Sequence, residues 1–219
     1  MQLLSRLHAE RLCLAMCCAA GNFVLSAAAH ASPHVTGYVM HIQLVPAICS
    51  LDAYSSKKRK CLEGYSLNIA GLYPEGFQQR NCTTGSSAVL PPIQTKVVAR
   101  VMPDENARHQ LWRTVGGCVP MQASQYFRTI INFAEKLKVP EELTSQENHI
   151  FQSSVLRSKL QRLNPRLSSQ SFEFICQQYG SGSILTEMRV CYRSGGQYKA
   201  CPAYVQNECP GTFTIKGAF

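Results

Sequence analysis

The side chains best suited to chemistry lie between residues 57 and 118. Lys57-Lys58-Arg59-Lys60 is a basic run, Tyr65, Tyr73 and Trp112 are aromatic, and Arg108 and Arg113 stand either side of Gln110. Cations interleaved with aromatic rings suit phosphates and unstacked bases, the combination used at single-stranded RNA sites. Each has a plainer role beside that one: a solvated loop for the basic run, core packing for Trp112, a helix surface for the arginines.

Proton transfer is harder to place. Four histidines follow residue 31: His34, His41, His109 and His149. Histidine both takes and gives a proton near neutrality because its pKa is about 6.5. His109 is the best placed, one residue before Gln110. On a regular helix it points about 100° away from its neighbour, so it would need a bulge or a shifted register to reach the same site. His41 falls on a strand and faces either a cleft or solvent. His34 is close to the terminus, and His149 reads as an exposed helix residue.

These groups sit in a chain of 219 residues with 45% hydrophobic content, enough for one domain with a full core. Its first stretch has the pattern of a signal peptide: Arg6 and Arg11, an apolar run over residues 12–29, then Ala29-His30-Ala31. Cleavage is expected after Ala31, with a retained membrane anchor as the other reading. Of eleven cysteines, Cys13, Cys17 and Cys18 fall in this segment and eight remain. An even count in an exported chain points to disulfides, and eight cysteines allow 105 connectivities. No C-x₂-C pair occurs among the eight, so no zinc site and no cofactor is expected. The whole chain carries +9, and loss of Arg6, Arg11 and Glu10 leaves +8. Such a balance attracts phosphate backbones or serves solubility alone. Asn81-Cys82-Thr83 fits the N-glycosylation pattern and reads as incidental.

Periodicity places the elements. Residues 38–45 alternate and stop at Pro46, a strand. Residues 55–60 read as a loop, and 66–70 as a second strand broken by Gly71 and Pro74. Residues 75–92 read as a long surface loop. Helices are expected over 93–102, 105–115, 124–138 and 145–163, the third showing Tyr126, Phe127, Ile130, Ile131, Phe133, Ala134 and Leu137 at helical spacing. Strands return over 171–178, 184–192 and 212–216. Strands, helices, then strands suggest one α+β domain.

Ser66-Leu67-Asn68-Ile69-Ala70-Gly71-Leu72-Tyr73-Pro74 resembles the first signature of the ribonuclease T2 family, a strand ending in His-Gly-Leu-Trp-Pro. Gly71, Leu72 and Pro74 match, while Ala70 stands for the His and Tyr73 for the Trp. Gln110-Leu111-Trp112-Arg113-Thr114-Val115-Gly116-Gly117-Cys118 lines up with the second, roughly His-Glu-Trp-x-Lys-His-Gly-Thr-Cys. Trp112, Gly116 and Cys118 match; Gln110, Leu111, Thr114 and Val115 replace the family's His, Glu, Lys and His. Residues 38–49, 175–191 and 209–215 look like the family's first strand, late strand pair and closing strand. The chain therefore resembles the family over most of residues 32–219, in its bacterial, ribonuclease I-like branch.

The resemblance implies an α+β fold with an antiparallel central sheet, packed helices and four disulfides: Cys49–Cys61, Cys82–Cys118, Cys176–Cys209 and Cys191–Cys201. It also implies an activity. The family cuts RNA without metal, the ribose 2′-hydroxyl attacking the adjacent phosphorus to leave a 2′,3′-cyclic phosphate. One His removes the proton, another protonates the leaving oxygen, and Lys and Glu stabilise the charge. Ala70, Leu111 and Val115 can neither move protons nor carry charge, Thr114 is no ammonium, and Gln110 can only hydrogen-bond. One positioned proton-transfer group contributes typically about 10²–10⁴-fold.

The expected function is thus an exported, periplasmic or secreted homologue with impaired catalysis. It would bind RNA or another ligand through the ancestral cleft with Tyr73, Gln110, Trp112 and Arg113, free of the membrane once the signal is removed. Two alternatives remain at this point: a working endoribonuclease with His109 as substitute, and a protein-binding or inhibitor module without a nucleic-acid role.

Overall fold

Tyr38, Met40, Ile42 and Leu44 alternate with Val39, His41 and Gln43, and a period of two sends the sets to opposite faces of a strand. The structure, a computed structural model, bears this out in strand β1 (Gly37–Leu44). It describes residues 35–52, 54–76, 84 and 86–218. The segment expected to be a signal peptide, His34 and Asn81-Cys82-Thr83 lie outside the described residues.

On one face of β1 the apolar set enters the main core, with Tyr38, Met40 and Leu44 at most 1% exposed. The other face turns its polar residues to a site. β1 pairs antiparallel with β2 (Leu67–Pro74) on one side and β5 (Gly182–Arg193) on the other. β4 (Phe172–Tyr179) forms an antiparallel pair with β5. β6 (Thr212–Ile215) meets β5 in parallel at Ile184 and carries β3 (His149–Gln152) at the far edge. The six-stranded sheet therefore runs β2-β1-β5-β6-β3, with β4 attached to β5. This is the α+β, mainly antiparallel architecture expected.

Helices α3 (Pro92–Ala99), α4 (Glu105–Thr114) and α5 (Ala123–Lys136) fall where periodicity put them. α5 buries Tyr126, Phe127, Ile130, Ile131 and Phe133, the expected face. The Tyr126 hydroxyl donates to the Leu72 carbonyl at 2.5 Å, which ties the helix to β2.

Four expectations need correction. β2 does not break at Gly71 but runs to Pro74, because it is an edge strand, where glycine and proline are tolerated. The stretch 55–60 is not a loop throughout: a 3₁₀ turn (Ser55–Lys57) leads into the one-turn helix α2 (Arg59–Leu62). The helix expected over 145–163 is β3 followed by α6 (Ser153–Leu163). Ile150, placed on that helix's apolar side, is 80% exposed on the edge strand, and His149 is a half-buried strand residue bonded to Ser145 Oγ at 3.0 Å. Finally, helix α1 (Val45–Leu51) takes the chain straight on from β1, with Pro46 in its first turn, where a missing N–H costs nothing.

Three disulfides join described residues: Cys49–Cys61, Cys176–Cys209 and Cys191–Cys201. They are three of the four pairings the resemblance implies. The fourth, Cys82–Cys118, falls on Cys82, outside the described residues.

Candidate nucleic-acid interface

In α4, residues Ala107, Gln110, Leu111 and Thr114 repeat at helical spacing and share one side. That side faces β2 across a cleft of about 930 Å³. Asn68, Ile69, Ala70 and Tyr73 form the β2 wall, Met102, Pro103 and Asp104 close the turn before α4, and Tyr54, Lys58, Arg59 and Lys60 come in from the segment around α2. Gln43 of β1 lies at the back.

Backbone irregularity sets up the β2 wall. His41 pairs with Gly71 and Ile42 with Ile69, so Ala70 is the extra residue of a β-bulge. A bulge bends its strand and re-aims the side chain it carries; here that side chain is a methyl group. Gly71 next to it allows a close approach, since a Cβ would sit 2.8 Å from the Tyr73 ring and 2.9 Å from Leu111 Cδ1.

Gln110 is exposed at the cleft surface and Leu111 is 4% exposed. Thr114 donates its hydroxyl proton to the Gln110 carbonyl at 2.9 Å. Val115, at the helix end, does not line the cleft; half-buried, it packs against the core. Trp112 points inward: it is 1% exposed, packs on Tyr126 at 5.8 Å and donates from Nε1 to the Ser86 carbonyl at 3.2 Å. It is core packing, and no open ring face remains for a base. Arg108 is likewise buried, its guanidinium fixed on the Met102 and Pro103 carbonyls at 2.5 and 3.1 Å.

None of the described histidines lines this cleft. His109 and Arg113 line a second groove on the other flank of α4, with Asn106, Gln110 and Thr114 shared between the two. The helical rotation of one residue is the reason. His109 Nε2 is 3.8 Å from Glu105 one turn earlier. His41 leans on the Tyr73 ring, centroids 4.4 Å apart, and its Nδ1 is 3.1 Å from Glu187 Oε1. Arg189 Nε donates to the same carboxylate oxygen at 2.7 Å. Burial pushes the Glu187 carboxyl up, but the hydrogen bonds and charges of His41 and Arg189 outweigh it and hold the group below the usual carboxylate range. Burial raises the Tyr73 phenol, and nearby Glu187 adds to that.

The chain matches no family model, and no curated protein matches it. Solved structures do. Ribonuclease MC1 from the seeds of bitter gourd aligns with a TM-score of 0.63 at 15% identity, over 81% of this chain and 98% of its own. RNase NT in complex with 5′-AMP gives 0.65 at 15% identity, over 85% of this chain and 100% of its own. The Japanese pear S3-RNase gives 0.61 at 16%, over 81% and 98%. The chain has a ribonuclease T2-like fold.

Within that fold, sequence reasoning brought Ala70, Tyr73, Gln110, Leu111 and Thr114 to one cleft. It did not find Gln43, Asn68 or Asp104. Nor did it foresee that Lys60 would be buried, because the partner that covers it comes from a strand 17 residues away in sequence.

Proposed function

We propose that this chain is an exported member of the ribonuclease T2 family that binds single-stranded RNA in the cleft between β2 and α4 without cutting it. One observation carries the reading: the cleft lining has the cations, amides and aromatic rings that grip nucleotides and, among the described residues, no histidine. Its Ala70, Gln110, Leu111 and Thr114 offer a methyl, an amide, an isobutyl group and a hydroxyl already bonded to the helix. In-line attack by a 2′-hydroxyl needs a base and an acid on either side of the phosphate, and these positions supply neither.

Binding asks less. Lys58, Arg59 and Lys60 present positive charge, and Tyr54 and Tyr73 present ring surface. Stacking contributes about 1–3 kcal/mol per base and tolerates any sequence. RNase NT, of the same fold, is seen with 5′-AMP, and a variant of ribonuclease MC1 with 5′-UMP. Export is supported by three disulfides, which persist in oxidising compartments.

A working endoribonuclease has one observation in its favour. His41 is held by Glu187 and touches Tyr73, a cleft residue, which is the arrangement of an oriented base.

The binding claim is tested by fluorescence anisotropy with a labelled oligoribonucleotide at several salt concentrations. Three phosphate contacts should give a log–log salt slope of about −2, each contributing about −0.7 on a single strand. Absence of binding at low salt would overturn it.

A further inference from the structure

Lys60 stands out within the cleft. Among its lining residues it is the one charged side chain more than nine-tenths buried, at 6% exposure. Its Nζ donates to Gln43 Oε1 at 2.6 Å, and the same oxygen accepts from Asn68 Nδ2 at 3.2 Å. Among the described residues it takes part in no ion pair. An ammonium has three N–H donors, and Gln43 takes one. Burying a lysine costs heavily unless a counter-charge meets it, and proteins almost never do so without pairing. The surroundings do not supply that charge by contact. Asp104 pulls on the ammonium from a distance, while burial, and Lys58 after it, disfavour its charged form. Glu105 lines the same cleft, and Arg59 is already engaged by Glu63 at 2.5 Å.

The geometry points to Lys60 as the residue that anchors a phosphate ester in this cleft, with Lys58 at the mouth and the amide of Gln43 fixing the ammonium from behind. The assignment rests on the RNA-binding reading and gives it a position. It moves the phosphate away from the bulge at Ala70 toward the α2 wall. The anchor is crosslinked in place, because Cys61, the next residue, is bonded to Cys49. Lys60 reads charge alone and contributes nothing to base preference.

The test compares the full chain with Lys60→Met and Lys60→Arg, each checked by circular dichroism for its fold. Loss of a buried unpaired charge is often neutral or stabilising, so Lys60→Met should melt no lower than the parent; if it does not fold, Lys60→Gln makes the same comparison. Three probes are used: inorganic phosphate, 5′-AMP and a short oligoribonucleotide. Lys60→Met is expected to bind the oligoribonucleotide about tenfold more weakly whatever its base sequence. Its salt slope should shrink by about 0.7, while Lys60→Arg keeps both. Phosphate should raise the melting temperature of the parent and not of Lys60→Met. Loss confined to 5′-AMP identifies a terminal monoester as the ligand, and loss for both identifies the strand's own phosphates.

If Lys60→Met binds both the oligoribonucleotide and 5′-AMP with unchanged affinity, the Lys60 assignment falls and RNA binding stands. If the parent ignores the oligoribonucleotide but is stabilised by phosphate through Lys60, the anchor stands and the RNA reading falls. If the parent responds to none of the three, both fall.

Discussion

Ala70 occupies the bulged position of β2, the point of the strand most able to direct a side chain, and fills it with a methyl group. The polar cluster nearby belongs to β1 and β5. Glu187 gathers His41 and Arg189, and its carboxyl is held below the usual range despite burial. A carboxylate with a depressed folded pKa adds stability that is full above its unfolded value of about 4.3 and is lost as pH falls through the folded one. Urea midpoints at about pH 7 and about pH 3 should therefore differ more for the parent than for Glu187→Gln. Equal differences would show that the cluster adds nothing to acid sensitivity. Single residues were also where the sequence was least legible. Trp112 lies between Leu111 and Arg113, and no local signal separates a stacking ring from a core ring. Lys60 reads as part of a solvated basic run until Gln43 is seen against it.

Elements were more legible, because amphipathic spacing is local. The α5 face and the alternation of β1 survive intact in the structure. Residues 145–163 misled because Ile150, Phe151, Val155, Leu156 and Leu160 keep helical spacing across a break. The break comes from β6, over 60 residues later, which pairs with His149–Gln152. Tertiary pairing overrides local pattern in this way. The same holds for α2, whose single turn cannot be stable alone and is tied to α1 by Cys49–Cys61. Replacing both cysteines by alanine should cost about 3 kcal/mol, the loop-closure value for a short crosslink, and should weaken RNA binding by loosening the Lys58–Lys60 wall. Melting and anisotropy without reductant measure the two effects. Unchanged affinity would mean that the wall does not hold the ligand.

At the scale of the molecule, the α+β architecture followed from element order, and the antiparallel sheet and the cysteine pattern followed from the family resemblance. The cleft could be outlined because its two motifs bring β2 and α4 together, but its third wall depended on how the Cys49–Cys61 segment folds back. The proposed binding role rests on a cleft whose lining, among the described residues, includes no histidine. The most direct measurement is RNA cleavage by the disulfide-intact chain without metal, beside a variant carrying Ala70→His and Gln110→His, two positions that line the cleft. The parent should leave RNA whole while still binding it. Release of 2′,3′-cyclic phosphate ends by the parent would contradict it and would turn attention to His41 with Glu187.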